Sequence, residues 1–333
     1  MKLHYDHSPE ARQTQADIHL TALRAAVSGG GEHLYLLIDP VSLPDDLTHP
    51  FISALVAQRP VPVILPHDKL TEESQPWLLK LDITQPEHDA LLVQSIAFAL
   101  EELHPERLSS GVGRAVCGWL TSPYETKAVA EQLGRTAIQR LLSGKQMLLR
   151  YYDPAVHGVL WHFFNIMQQE RWLGVLSGWY YPDGDGQQLC QRHKPAAYPY
   201  QTFSLMLSPE DEVLMALTGK ISRTLERYRL EMADKSRYRE QIAAPLIRDA
   251  LVRAEQLHGF SQEADQQALA LDCLQWHPRF DTHRTVRLLL SPLERHSAAD
   301  YARCVSVLTD RERQQYCDEL NAIPTSSTAR SLL

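Results

Sequence analysis

The chain has few cysteines, and none of them forms a closely spaced pair. Five cysteines are spread over 333 residues, and no two stand in a C-x-x-C motif. Disulfide frameworks and cysteine zinc sites normally show an even number of cysteines at short spacings. The pattern is typical of reduced thiols and predicts a cytoplasmic protein. The five are Cys117, Cys190, Cys273, Cys304 and Cys317.

Long apolar runs are also absent. No stretch reaches the roughly 18–20 apolar residues that a membrane-spanning helix needs. The best candidate, the apolar pattern after Pro154, is interrupted by His157 and His162. Residues 1–13 are polar and lack the apolar centre of a secretory signal peptide. We therefore expect no membrane insertion and a cytoplasmic location.

The chain has no basic excess. Its 33 Lys and Arg residues are outnumbered by 41 Asp and Glu residues, which gives a formal net charge of -8. Proteins dedicated to nucleic acids normally carry a basic face, so we expect no nucleic-acid partner. A hydrophobic content of 44% with 22% charged residues is typical of folded globular proteins, and the length allows two domains.

Motifs for catalysis, phosphate binding or metal binding are missing or incomplete. No serine stands in a G-x-S-x-G context, and the glycine-rich segment 111–114 precedes a predicted strand instead of a helix. His157 and His162 are five residues apart, which is not the i, i+4 spacing of a helical metal pair. Cys190 and His193 form a single C-x-x-H pair without a second one nearby. We expect no metal and no cofactor.

Asp153 is the residue that leaves an enzyme open as an alternative. It follows a predicted strand, where α/β enzymes commonly place catalytic groups. In the competing interpretation, Asp153 caps the next helix and Pro154 takes the first helical position, which needs no amide donor. We favour the cap and expect no enzymatic activity. The second hypothesis is an α/β enzyme, hydrolase-like or nucleotide-binding, with its site near Asp153.

Short apolar runs alternate with helix patterns over the first 200 residues. Ser122, Pro123 and Glu125 predict a capping box that opens a helix, and the Asp-Gly pairs at 183–186 predict a hairpin turn. Together these signals predict an α/β lobe over residues 1–200, with a mixed, partly parallel sheet flanked by helices. The predicted strands include residues 34–38, 61–65, 114–120, 147–152 and 188–192, and the predicted helices include residues 86–103 and 122–142.

Strand signals almost vanish beyond residue 207. Ser208 is a good N-cap, and acidic residues follow it in the first helical turn. We therefore predict a connector over residues 201–207, an all-α helical lobe over 208–323 and a frayed tail over 324–333. The first helix carries an apolar seam at steps of three and four residues, formed by Leu214, Leu217, Ile221, Leu225, Tyr228 and Met232.

Four segments of the first lobe share an order and spacing with a known family. They read LYLLIDP at 34–40, GWLTSP at 118–123, LLRYYDP at 148–154 and WLGVLSGW at 172–179. Together they resemble the effector chaperone, or adaptor, family of bacterial type VI secretion, with the resemblance extending over residues 34–188. One departure is Val175, which stands where that family often has proline.

The resemblance implies a fold, a function and partners. It implies an α/β lobe followed by a variable helical lobe that is specific for one cargo. The family is thought to bind a particular toxic effector, to stabilise it and to help load it onto the spike-tip protein of the secretion needle. The segment that carries the signature is expected to be a structural element, and its residues are Arg150, Tyr151, Tyr152, Asp153, Pro154 and Trp179.

The first helix of the second lobe is our candidate for the partner site. Its arginines alternate with acidic residues, which is typical of a solvated face, but Arg and Tyr are also favoured at interface centres. We predict that the effector binds between the lobes, at Leu217, Arg223, Arg227 and Tyr228. In the alternative interpretation, Leu217 and Tyr228 belong to the core of a helix bundle.

Overall fold

The structure is a computed structural model that describes residues 2–3, 5–6, 8–44, 46, 48–195, 203–233, 236–291 and 300–322. The chain divides into two compact units, Tyr5–Ser222 and Met1–His4 with Arg223–Leu333. We call them the sheet unit and the helical unit. The predicted tail over 324–333 and the first two residues of the predicted connector lie outside the described residues. The predicted domain limits stay a prediction.

A six-stranded sheet forms the centre of the sheet unit. The strands of the unit are β1 His33–Ile38, β2 Val61–Pro62, β3 Trp77–Leu81, β4 Val116–Ser122, β5 Ile138–Arg140, β6 Gln146–Leu148, β7 Gly178–Pro182 and β8 Gln188–Arg192. The strand order of the sheet is β2-β3-β1-β4-β7-β8, and β5 and β6 pair separately.

Every pairing between these strands is antiparallel, so the predicted parallel pairing is wrong. Strand β1 lies between β3 and β4, and both run against it. Alternation of strands and helices suggested parallel crossovers. The prediction did not foresee that β3 follows α2 (Pro50–Ala57) and precedes α3 (Pro86–Glu101) along the chain. Both β3 and β4 therefore run antiparallel to β1 as its two neighbours in the sheet.

Helices cover both faces of the sheet. On one face, Leu36, Trp119 and Tyr180 stand in register on adjacent strands and pack against the first three helices. On the other face, the Trp179 ring contacts the rings of Tyr151 and His157. The helices of the sheet unit are α1 Pro9–Val27, α2 Pro50–Ala57, α3 Pro86–Glu101, α4 Pro105–Ser109, α5 Thr126–Thr136, α6 Pro154–Leu160 and α7 Ile166–Leu173.

Several local predictions in the sheet unit are wrong in detail. The predicted helix 122–142 ends at Thr136, and residues 138–140 form β5. Ser122 is the last residue of β4 and does not cap a helix; α5 begins at Thr126, after Glu125. The predicted strand 147–152 is short, because β6 ends at Leu148 and the chain then turns into α6. The helix-capping residues were visible in the sequence, but sheet pairing extended β4 past the expected cap.

Helix α8, Pro209–Glu231, joins the two units along the chain. It begins as predicted, because the Ser208 hydroxyl accepts the Asp211 amide at 3.2 Å and the Asp211 carboxylate accepts the Ser208 amide at 2.8 Å. The helical unit continues with α9 Glu240–Gln256, α10 Glu263–Gln275, α11 Arg284–Leu289, α12 Tyr301–Val305 and α13 Asp310–Ala322.

The described part of the helical unit contains helices and no β-strand, which confirms the predicted helical C-terminal region. A single antiparallel bridge joins Leu3 and Arg237, whose amides and carbonyls exchange two hydrogen bonds of 2.7 Å each. The Lys2 ammonium also donates to the Gln275 carbonyl at 2.7 Å. In the described residues, no helix combines the length and the apolar character needed to cross a membrane.

Candidate functional site

The first element of the site is the end of β1. Asp39 follows the strand and is 3% exposed, and its amide donates to the Ala115 carbonyl at 2.8 Å. One carboxylate oxygen accepts the amide of Val41 at 3.2 Å, which fixes the turn that begins at Pro40. A buried strand that ends at an Asp-Pro step thus becomes a rigid corner.

The second element is the turn before α6. Asp153 caps this helix, because its carboxylate accepts the Ala155 amide at 2.9 Å and Pro154 occupies the first turn. This is the capping role predicted from the sequence. The Asp153 and Asp39 corners have the same local sequence pattern, an apolar run followed by Asp-Pro.

Arg150 connects the two corners. Its guanidinium donates to the Asp39 carboxylate, and the same nitrogen lies 3.9 Å from the Asp153 carboxylate. The Arg150 side chain is 46% exposed, whereas that of Asp39 is 4% exposed. One cation, accessible from solvent, therefore neutralises a buried acid that lies 111 residues away in sequence.

The charges around this link determine its chemistry. Burial raises the pKa of Asp39, and the Arg150 guanidinium opposes that shift. Burial, together with the Asp39 and Asp153 carboxylates, raises the pKa of the nearby Cys117 thiol. Because a thiolate is the nucleophilic form of cysteine, Cys117 is held in its unreactive state. Both carboxylates are already engaged in hydrogen bonds of the fold.

Aromatic side chains pack around Tyr151, the residue that follows Arg150. Tyr151 is fully buried, and its ring meets Trp172 edge-on at 5.0 Å and Trp179 at 5.7 Å between centroids. The Trp179 indole nitrogen donates to the Cys117 carbonyl at 3.3 Å. Edge-to-face pairs of this kind each add about 0.5–1.5 kcal/mol beyond the burial of their area. The signature segment is therefore anchored to the central strands.

His157 lies in the middle of these rings and accepts the Trp172 indole N–H at 3.3 Å. Burial lowers its pKa to about 3, so the ring is neutral at ordinary pH. His162, the other half of the weak metal motif, is exposed. Within the described ranges, no group of three His, Cys, Asp or Glu side chains is placed to hold a metal ion.

The structure brings the six predicted signature residues together around one corner of the sheet unit. Sequence reasoning missed their partner, Asp39, although the repeated Asp-Pro pattern was a signal that could have identified it. The exposed part of this corner includes the outer half of Arg150 and the Val41 side chain, which is 67% exposed. The arrangement can fix two turns and present a small mixed surface.

The predicted partner residues are not brought together as one exposed surface. Leu217 is 9% and Tyr228 2% exposed, as the bundle-core alternative requires, and the Tyr228 hydroxyl accepts the Tyr238 amide at 3.0 Å. Arg223 pairs with Glu263 of α10, and Arg227 pairs with Glu231 on its own helix. Leu217 belongs to the sheet unit and the other three residues to the helical unit. Their role in binding stays a prediction.

The comparison with protein families gives one match, and it includes both Asp-Pro corners. Residues 34–171 match the model of a domain of unknown function, DUF4123. The match begins in β1 and ends in α7, so the DUF4123 segment contains Asp39, Arg150 and Asp153. It covers less than half of the chain and none of the helical unit. No curated protein and no solved structure matches.

Proposed function

We propose that this protein is an effector chaperone, or adaptor, of type VI secretion. It binds one toxic effector in the cytoplasm, stabilises it and helps load it onto the spike-tip protein. The proposal rests on the four sequence segments that resemble this family, three of which lie entirely within the DUF4123 match.

The observation that carries the proposal is the Arg150 link between the two Asp-Pro corners. Two of the four segments, far apart in sequence, meet at this link, and Trp179 of a third packs on it through Tyr151. A resemblance made of independent short matches would not require such contacts. These contacts support the view that the segments form one inherited structural motif.

The hydrogen bonds of Asp39 and Asp153 support a binding function over a catalytic one. Asp153, the carboxylate of the enzyme hypothesis, caps a helix, and Asp39 is neutralised by Arg150. Neither is a free general base, because each already accepts a hydrogen bond that the fold needs. We accordingly propose a protein that acts without turnover, without a cofactor and without ATP, and that has no nucleic-acid partner.

The test is co-expression with the products of the genes on either side, followed by affinity purification. We expect one neighbouring effector to co-purify and to become more soluble when this protein is present. The spike-tip protein should be retained only when the effector is also present. Failure to retain any neighbour, together with turnover of a small substrate, would reverse the ranking of the two hypotheses.

The proposed position of the effector has its own test. Reversing both charges with Arg223→Glu and Arg227→Glu should weaken effector capture, because exposed rim charges affect binding more than stability. The control reverses Arg284 and Arg287, two exposed arginines on α11 of the same unit. Normal melting with capture at the affinity of the unmodified protein would place the effector elsewhere.

A further inference from the structure

The two edges of the six-stranded sheet are built differently. Strand β2 forms one edge and is only two residues long, Val61–Pro62, with further prolines at 60 and 66. Proline has no amide to donate, and short, proline-rich strands are a common way to block an edge. The Ile64 carbonyl also lies against Gly134 of α5, where an added Cβ would be 2.1 Å away. This edge is closed.

Strand β8 forms the other edge and has none of these protections. It has five residues, Gln188–Arg192, and no proline. The pairing register fixes which backbone groups face outward. The Asp183 amide donates to the Gln187 carbonyl, and the His193 amide donates to the Ser177 carbonyl. Since hydrogen-bonded and non-hydrogen-bonded pairs alternate, the amides and carbonyls of Gln188, Cys190 and Arg192 point away from β7.

These outward groups make no backbone hydrogen bond to any described residue. The turn that precedes them is rigid. The Asp183 carboxylate accepts the amides of Asp185 and Gln187 at 2.9 Å each, and the Gln15 side chain of α1 donates to the Asp185 carbonyl at 3.4 Å. The open edge is therefore held in an extended conformation before any partner arrives, which reduces the entropy lost on binding.

We propose that β8 is a docking edge, to which an extended segment of the partner protein adds as a seventh strand. An alternating row of amides and carbonyls selects an extended backbone over a helix or a small ligand. Arg192 is exposed at the end of the row, where its guanidinium donates to the Tyr180 hydroxyl at 3.2 Å, and its charge favours an acidic residue on the incoming strand. The inference rests on the proposed function, since the partner is the effector.

A second copy of the chain is a weaker candidate for this edge. Pairing of β8 with itself would engage five residues on each side, whereas stable dimers use about 20–30 residues a side. An effector that is also held elsewhere on the protein does not have this limit, because the strand then binds at a high effective concentration. The effector is therefore the proposed occupant, and the experiment includes self-association as the competing outcome.

The test compares Cys190→Pro with Cys190→Ala in the full chain, with the adjacent effector as the probe. Both variants lose the thiol, but only proline loses the outward amide, and neither loses an amide that bonds to β7. We expect Cys190→Pro to weaken effector binding at least tenfold relative to Cys190→Ala. Equal affinities for two folded variants would overturn the inference while the chaperone proposal stands. Absence of binding by the unmodified protein would overturn both.

Amide hydrogen exchange gives a second measurement that does not depend on the variants. In the free protein, the amides of residues 188, 190 and 192 should exchange fast and those of 189 and 191 slowly. Addition of the effector should protect residues 190 and 192. Slow exchange at all five positions in the free protein would overturn the inference, as would a dimer of the unmodified chain that Cys190→Pro abolishes.

Discussion

The two units of this protein neutralise their buried acids in different ways. In the sheet unit, the buried Asp39 meets Arg150, whose side chain is 46% exposed, so water also solvates the cation. In the helical unit, Asp281 is fully buried and receives two hydrogen bonds of 2.8 Å from Arg253 and one contact of 3.1 Å from His258. In the first cluster the cation stays in contact with water, whereas in the second the acid is enclosed by its partners.

The two clusters also differ in how they are encoded. Asp39 and Arg150 belong to short segments with recognisable patterns, an apolar run that ends at Asp-Pro. The residues around Asp281 come from separate helices and turns and share no pattern; besides Arg253 and His258 they include the Cys273 thiol, 3.3 Å from the carboxylate. The comparison teaches that a local sequence motif can point to one buried acid, Asp39, whereas no motif points to Asp281, which is more deeply buried.

The largest effect is expected at Asp281. Asp281→Ala leaves the Arg253 guanidinium partly buried without its acid, and loss of one partner of a buried pair costs about 3–5 kcal/mol. Urea unfolding of the full chain should show this loss. The control is Asp249→Ala, which removes an exposed acid paired with its neighbour Arg248 and should cost less than about 1 kcal/mol. Equal costs would contradict the claim that Asp281 is a buried acid that depends on its partners.

The second prediction compares the acid sensitivity of the units. Burial lowers the pKa of His157 from its usual 6.5 to about 3. Between these values the unfolded chain binds a proton that the folded chain does not, so stability falls as the pH falls through this window. The pKa of Asp281 is lowered to about 2, because hydrogen bonds from His258 and Arg253 outweigh its burial. Its stabilisation is lost only below about pH 4.

The buried His157 should therefore weaken the sheet unit on mild acidification, at pH values where Asp281 still stabilises the helical unit. His157→Phe should flatten the dependence of unfolding free energy on pH between 6.5 and 4 by up to about 1.4 kcal/mol per pH unit. Glu102, whose pKa burial raises to about 7, acts in the opposite sense in both proteins and cancels in the difference. His104→Gln, at an exposed position, is the matched control. Parallel pH curves for the unmodified protein and His157→Phe would refute the prediction.

A smaller effect is expected at Arg150. Arg150→Ala removes the charged hydrogen bond to Asp39, and such bonds contribute about 1.5–3 kcal/mol. We expect Arg150→Ala to lower the unfolding free energy by about 2 kcal/mol. The loss should be smaller when Asp39→Asn is already present, because a neutral amide at position 39 needs no cation. Arg24→Ala is the control, since Arg24 is equally exposed but its partner Asp89 is 33% exposed. Additive losses in the double variant would argue against the link.

What could be predicted from the sequence depends on whether a feature is set by neighbouring residues or by tertiary contacts. The Asp153 cap, the Ser208 cap and strand β8 could be predicted, because each depends on neighbouring residues. The antiparallel order of the sheet could not, since an apolar run does not encode the direction of its neighbour. The Asp39–Arg150 link also depends on the tertiary arrangement. The repeated Asp-Pro pattern was the sequence signal that pointed to this pair.

The smallest effect is expected at Asp153, where two roles can be separated. As a helix cap, the side chain needs only an oxygen that accepts the Ala155 amide, and Asn serves as well as Asp. As a counter-charge, it would need its negative charge, 3.9 Å from the Arg150 guanidinium. We expect Asp153→Ala to cost about 1 kcal/mol and Asp153→Asn only a few tenths.

Thermal melting measured beside effector capture completes this test. Both variants should capture the effector as the unmodified protein does, because the carboxylate faces the fold and not a partner. An equal loss of stability in Asp153→Asn and Asp153→Ala would assign the residue to the charge network instead of the cap. Unchanged melting with abolished capture would show that the signature corner itself is the binding surface, with Arg150 and Val41 at its exposed margin.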